Sequence, residues 1–252
     1  MGTLIHPGAH VDPAAQLGVD VEVMPGAVVT RWARLGDRVV VHPTAVIGGD
    51  PQYLGFKRET PTWVEVGADT VLREGVTLNR AIHEDAVTSI GARCFFMANS
   101  HAGHDAQVAD DVILANGALL AGHVEVGAFS FIGGNAAVHQ FCRIGPVAMI
   151  GGVSPITGDV PPYCMVADRS VVAGLNVVGL KRRGWPREVI RELKDAYRAV
   201  MRPTGNMRTV AAELLPDVSS EQARTFLEFF TTGGKRPIAR PRRGRDDGGD
   251  DA

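Results

Sequence analysis

Aromatic side chains are scarce in this chain: Phe, Trp and Tyr together make up 6% of its 252 residues. A core must then be built from aliphatic groups, which are plentiful, since 45% of residues are hydrophobic and 30 are Gly. That balance suits a regular architecture with many turns. Cysteine is nearly missing. Cys94, Cys142 and Cys164 are widely spaced and odd in number, which excludes a disulfide framework and points to a reducing, cytoplasmic setting. No apolar run approaches the roughly 18 residues that a membrane span needs, so stable membrane insertion is not expected. The opening MGTLIHPGAH has no charged segment followed by an apolar one, so no secretory signal is expected either. Charge is also balanced: 26 Lys and Arg face 28 Asp and Glu, a net charge of −2. No global field is available to recruit nucleic acid or an anionic membrane surface.

What the chain does have is a repeat. From Ile5 an aliphatic residue recurs every six positions through Val11, Leu17, Val23, Val29, Leu35, Val41 and Ile47. Four residues after each stands a small or β-branched side chain, as at Ala9, Ala15, Val21 and Ala27. The pattern breaks at Gly49 and resumes one residue out of phase at Val66, Leu72 and Leu78. It lapses at Glu84 and runs again from Ile90 to Ile156, through Phe96, Ala102, Val108 and Leu114. Neither a helix, with period 3.6, nor an ordinary amphipathic strand, with period 2, yields such a register. Short flat strands joined by tight turns do, three to each triangular coil of about 18 residues. The expected fold is therefore mainly β: a left-handed parallel β-helix of hexapeptide repeats with a C-terminal α-helical domain.

The boundaries follow from where the repeat stops. The solenoid is expected over 1–163, with an expelled loop at about 49–63 and a lesser bulge at 80–88. Functional residues concentrate on such loops when a rigid scaffold holds them. The helical domain is expected over 164–232, with helices at 174–183, 186–202, 207–215 and 219–231. Pro186 is placed at the first position of its helix, and Ser219 or Ser220 at the cap before Glu221. The Gly- and Pro-rich tail, 233–252, runs from basic to acidic and is expected to be disordered.

A coil of 18 residues turns sequence numbers into a map. Adding 18 to His104 reaches Gly122, and adding 18 again reaches Gln140. The three should form one outward column at steps of ~4.8 Å. His123 stands beside Gly122, His139 beside Gln140, and His101 just before His104, so four of the eight histidines gather on one edge. Metal binding is one use for such a cluster, but no carboxylate or cysteine joins it in a recognisable ligand spacing. General base catalysis is another: a neutral imidazole can take a proton from an alcohol near pH 7. Asp105 could fix the His104 tautomer, and the unobstructed Gly122 amide could stabilise an oxyanion. Base, orienter and oxyanion donor together describe acyl transfer with no covalent enzyme intermediate.

These residues resemble a known family, the acyl-carrier-protein-dependent UDP-N-acetylglucosamine O-acyltransferases, which catalyse the first step of lipid A synthesis. The matching runs are HAGHD at 101–105, ILAN at 113–116, LAGH at 120–123, AVHQF at 137–141, DVPPY at 159–163 and GLKRRG at 179–184, with PQ at 51–52. The resemblance covers 1 to about 232. It implies a homotrimer with active sites between neighbouring solenoids, an acyl carrier protein thioester as co-substrate and no metal or other cofactor. It further implies that His104 is the base for the glucosamine 3-hydroxyl, with Asp105 as its partner and Gly122 as oxyanion donor. His101 would contact the sugar, His123 the donor's pantetheine or the acceptor, and His139 and Gln140 the nucleotide side. Asn176, Arg182 and Arg183 would serve the uridine diphosphate and carrier contacts. Gly152 matches a position that measures acyl length.

The chain also departs from that pattern. The family's Asp-Leu-Lys reads Tyr53-Leu54-Gly55, its His-Arg-Gly reads Asn79-Arg80-Ala81, and its Ala-Gln-Gly-Asn reads Val166-Ala167-Asp168-Arg169. The reaction type is therefore better marked than the acceptor. Three readings stay open: O-acylation, acyl transfer to a related UDP-amino-sugar giving an amide, and a non-catalytic nucleotide-sugar-binding paralogue. A zinc hydratase built on the same coil is a further class, disfavoured by the ligand spacing.

Overall fold

A computed structural model describes residues 2–201 and 205–241. Most of the chain winds into three sheets of 11, 8 and 7 strands, parallel throughout the solenoid, and most strands are two residues long. Successive coils pair in register. On one sheet Leu72 faces Phe96, then Leu114, Ile132, Ile150 and Val166 in turn. All six are buried. Where nothing is expelled, the step between coils is 18 residues, as in His101↔Leu119 and Leu119↔Ala137. The left-handed β-helix read from the hexads is the observed fold.

The turns explain why small and acidic residues recur at the corners. Most corners place one residue at positive φ, commonly near +60°, a region that Asp and Asn tolerate better than most side chains. Asp69, Asn99, Asp105, Asp111 and Asn135 occupy it, and so do His123 and Phe141. Residues 105, 123 and 141 are one coil apart, so the corners themselves align into a column.

Two loops leave the solenoid. The larger, 50–62, lies between the strands Val46–Gly49 and Trp63–Val66, and the smaller, 80–86, between Thr77–Asn79 and Val87–Ile90. Arg80 ties them together. Its side chain is 1% exposed, and its guanidinium binds the Asp50 carboxylate at 2.9 Å. It also donates to the Thr60 carbonyl at 2.7 Å and to the Arg58 carbonyl. The rings of Trp32 and Phe56 cover it at 4.3 and 4.6 Å.

The hexads end near Tyr163, but the sheet does not. The strand Cys164–Ala167 stacks on Met149–Ile150, and Val171–Leu175 folds back antiparallel on it. Residues 174–176, expected in a helix, therefore belong to this hairpin and the turn after it. The first helix, α1 (Val177–Arg182), begins only where the Asn176 side chain accepts from the Gly179 N–H. Pro186 is the cap of α2 (Arg187–Val200) rather than its first residue, because its ψ of 148° is extended. The expected end at 202 lies outside the described residues. Then follow α3 (Met207–Leu214) and α4 (Glu221–Thr231), the latter capped by Ser220. Leu193, Phe226, Leu227 and Phe230 are buried among these helices.

The expectation of disorder from 233 onward is corrected for 233–241. This segment crosses back over the solenoid, where Asp159 N–H donates to the Pro237 carbonyl and Ala239 N–H to the Asp159 carbonyl, each at 2.8 Å. Arg240–Pro241 then adds a parallel strand to Val171–Leu175. The tail's composition is that of a solvated chain, but the hairpin edge and Asp159 offer backbone partners that no local pattern reveals. Residues 242–252 lie outside the described residues.

The buried Arg80 guanidinium predicts a stability test. Arg80→Met should cost about 3 kcal/mol, the low end for breaking a buried pair, because Asp50 is 32% exposed and can rehydrate. Chemical denaturation measures this, and limited proteolysis should show earlier cleavage within 50–62.

Candidate active site

The coil brings His104, Asp105, Gly122 and His123 into direct contact. His104 and Asp105 occupy adjacent corner positions of one turn, and the turn above repeats them as Gly122 and His123. The backbone locks the two turns together, with His123 N–H donating to the His104 carbonyl at 2.9 Å. His104 Nδ1 lies 2.8 Å from the Asp105 carboxylate. A neutral His104 protonated at Nδ1 would donate there and leave Nε2 as its free lone pair. The His104 ring lies where a side chain at position 122 would be, since a Cβ on Gly122 would collide with Cε1 and Nε2 of the imidazole. No acceptor among the described residues pairs with the Gly122 N–H.

Asp105 is itself held in place. Its carboxylate accepts from the Ile82 N–H at 3.2 Å, and its own N–H donates to Thr88 Oγ1 at 2.7 Å. Both partners come from the 80–88 region, so the smaller loop is part of the site's frame. Burial tends to raise the Asp105 pKa, but the His104 bond, the nearby His123 and the Ile82 N–H outweigh it, and the carboxyl stays below its ordinary range. The group is thus an anion beside the imidazole at neutral pH.

His123 meets His104 edge-on at 5.1 Å between centroids and stacks on Phe141 at 4.6 Å, with ring planes 10° apart. Burial depresses its pKa; Asp105 opposes this, while His104, Lys235 and His83 add to it. His101 sits in the strand below Leu119, its Nδ1 2.7 Å from Thr77 Oγ1. Burial lowers its pKa too, offset in part by Thr77. A cleft of about 580 Å³ opens beside this group, lined by Asp105, His123, Phe141, Arg143 and residues 233–235 among others.

The remaining expected residues spread over neighbouring surfaces. His139 and Gln140 are exposed on the coil above Gly122, and the 233–241 segment reaches them: Arg236 donates to the Gln140 carbonyl at 2.9 Å and lies 2.7 Å from His139 Nδ1. Asn176 spends its side chain internally, capping α1 and donating to the Val147 carbonyl at 3.2 Å. Arg182 is exposed, and the Arg183 guanidinium covers the Phe129 ring at 3.9 Å. None of these three lines the cleft beside His123. Gly152 stands at an exposed corner, where a Cβ would lie 3.2 Å from the Gly134 carbonyl. Sequence reasoning overlooked Thr77, Thr88, Phe141, Lys235 and Arg236. Phe141 had a visible signal, since it stands 18 residues after His123.

A metal reading gains one observation here. His104, Asp105 and His123 offer donor atoms within 4.8 Å of one another, so the corner column supplies the carboxylate that linear spacing does not show. Each of these residues nonetheless has a partner without a metal, in the His104–Asp105 bond and the His123–Phe141 stack.

Comparison with known proteins identifies the family and the fold. The family description "Udp N-acetylglucosamine O-acyltransferase; Domain 2" matches residues 159–239. An Acyl-(acyl-carrier-protein)–UDP-N-acetylglucosamine O-acyltransferase from Rhizobium johnstonii is 38% identical over 242 residues, covering 95% of this chain and 89% of that one. The chain belongs to this acyltransferase family. Two solved members share the fold. The UDP-N-acetylglucosamine acyltransferase from Campylobacter jejuni superposes with a TM-score of 0.82 at 31% identity, covering 94% of this chain and all 100% of that one. The Arabidopsis UDP-N-acetylglucosamine acyltransferase gives 0.88 at 31% identity, covering 95% and 88%. The family match at 159–239 runs through the segment that folds back over the solenoid.

The depressed pKa of His101 sets a pH dependence. An unfolded His titrates near about 6.5, whereas the folded group resists protonation, so the unfolded state binds more protons as pH falls and stability drops. The melting midpoint should fall between about pH 7 and about pH 5, and His101→Gln should flatten that fall. His123 acts in the same direction, so the flattening should be partial. Asp105 also loses its contribution with acid, but in a separate window at and below ordinary carboxylate values. Thermal melts across pH read all three.

Proposed function

We propose that the protein transfers a 3-hydroxyacyl chain from acyl carrier protein to the 3-hydroxyl of the glucosamine in UDP-N-acetylglucosamine, the opening step of lipid A synthesis. The observation that carries this reading is the His104 ring, bonded to Asp105 on one side and lying over side-chain-free Gly122 on the other. Nε2 of His104 takes the sugar hydroxyl proton as that oxygen attacks the thioester carbonyl. Asp105 stabilises the resulting imidazolium. The carbonyl oxygen becomes an oxyanion, to which the Gly122 N–H donates. Collapse of the tetrahedral intermediate expels the thiolate of the carrier's arm, which recovers the proton from His104. No covalent intermediate and no metal enter this cycle.

The acyl chain needs an apolar surface beyond the base. The column above His101 is Leu119, Ala137 and Pro155, all outward and exposed. Met149 and Val153 stand exposed nearby in sequence, at 40% and 76%, flanking Gly152. A homotrimer covers such a face by bringing a neighbouring solenoid against it, and a glycine at 152 leaves room for a longer chain. His101 would then contact the sugar, and His139 and Gln140 the nucleotide side. The exposed Arg182 and Arg183 are available to acidic carrier or diphosphate groups, with Asn176 fixing the helix that bears them. Cytoplasmic operation belongs to the same reading, and among the described residues no helix is long and apolar enough to cross a membrane.

His104→Ala should lower kcat/KM by about 10²–10⁴-fold while the fold persists, the range expected for losing a general base. Gly122→Ala should also inactivate, because the added methyl displaces the His104 ring. Mass spectrometry of products from a panel of acyl carrier thioesters, with UDP-N-acetylglucosamine and its 3-amino analogue, identifies acceptor and chain length. Binding of the sugar nucleotide without any product would favour the non-catalytic reading, and stoichiometric zinc by elemental analysis the metal reading.

A further inference from the structure

The returning segment 233–241 is pinned at the edge of the cleft by contacts that leave little slack. Arg143 Nε binds the Asp159 carboxylate at 2.8 Å, and Asp159 is fully buried. The same guanidinium donates to Thr232 Oγ1 at 3.2 Å and lies 4.4 Å above the Phe229 ring. Gly234 crosses directly over this pair: a Cβ there would strike the Asp159 carboxylate and stand 2.9 Å from Arg143 Nε. Beyond it, Asp159 pairs through its backbone with Pro237 and Ala239.

Between these anchors stand two cations with different fates. Arg236 is consumed by His139 and the Gln140 carbonyl. Lys235 is not consumed. Its ammonium sits 4.3 Å above the Phe141 ring, and Phe141 stacks on His123, which meets His104. No carboxylate among the described residues pairs with it, although Glu125 lines the same cleft. Its charge is near enough to help depress the His123 pKa. An unpaired ammonium on this anchored strap, facing a cleft that Asp105 and His123 also line, is placed to receive an anion.

We infer that Lys235 binds a phosphate group of a substrate at this cleft, with the 233–241 strap as a wall of the site. The inference rests on the acyl-transfer reading for which phosphate is meant. Two sources share the chemistry, the diphosphate of the nucleotide sugar and the phosphodiester of the acyl carrier's arm. Arg236 is a positioning residue in this arrangement, holding His139 and the Gln140 carbonyl.

The test uses the full chain with Lys235→Met, which keeps the apolar stem over Phe141, and Lys235→Arg, which keeps the charge. Lys235→Met should raise one KM by about tenfold, with the loss falling chiefly on KM rather than kcat, and Lys235→Arg should recover most of it. A rise in the KM for UDP-N-acetylglucosamine assigns the diphosphate; a rise in the KM for the acyl carrier thioester assigns the phosphodiester. If the wild type turns over and neither KM moves in Lys235→Met, the inference falls while acyl transfer stands. A lower melting midpoint with both KM values unchanged overturns it as well, since that is the mark of a structural cation–π contact. If the wild type shows no turnover, acyl transfer falls instead, and calorimetric titration with UDP-N-acetylglucosamine and with acyl-phosphopantetheine reads Lys235 directly. Equal dissociation constants for both ligands in wild type and Lys235→Met, or no binding by either protein, would then overturn it.

Discussion

In-register backbone pairing between coils is the constraint on which the rest of this molecule depends. Each turn's N–H groups donate to carbonyls of the turn one coil away, so a residue's outward direction is inherited by its counterpart 18 positions later. The aliphatic interior fills the triangle and holds the coils at that register. The site is a product of the same rule. His104 below Gly122 and Asp105 below His123 and Phe141 are two adjacent columns of corner residues, not a chance meeting of loops.

The pairing fixes positions along the solenoid but not what is attached to its sides, and two arginines, Arg80 buried and Arg143 partly buried, do that work. Arg80 fastens the 50–62 loop through Asp50, Arg58 and Thr60, while the neighbouring backbone at Ile82 braces Asp105. Arg143 fastens the end of α4 and the returning strap through Asp159, Thr232 and Phe229. Each guanidinium bonds several carbonyl or carboxylate oxygens at once and is covered by an aromatic ring, which suits the planar, five-donor fork of arginine better than lysine. In a chain with so few aromatics, Phe56, Trp32 and Phe229 are used where these cations enter the interior.

Much of this was legible from residue order because a solenoid makes distance in space a multiple of distance in sequence. The hexads from Ile90 to Ile156 named the interior, and steps of 18 found the His104–Gly122 contact. Legibility failed where the period does. Asp159 is fully buried although its type predicts exposure, and its backbone partners lie some 80 positions onward, so nothing near residues 233–241 announces that they are ordered. Asn176 looked like a substrate contact on resemblance, yet its amide caps α1, a local role that a motif match cannot separate from binding. Phe141 carried the right interval but not a residue type associated with chemistry. It holds a left-handed backbone at φ 65°, a conformation costing a bulky residue about 1–3 kcal/mol. Its stack on His123 and its contact with Lys235 accompany that cost.

The corner column has one more consequence. Because any groove on this surface is bounded by whole coils, its length is quantised: the scaffold can lengthen or shorten it only in increments of ~4.8 Å, by gaining or losing a complete turn. An insertion of six residues would instead rotate every later face to the next side of the triangle and scatter both columns. Fine adjustment of what the groove admits is left to single side chains at exposed corners, of which Gly152 is one. The backbone thus behaves as a ruler with coarse fixed graduations, and the corner residues as its vernier.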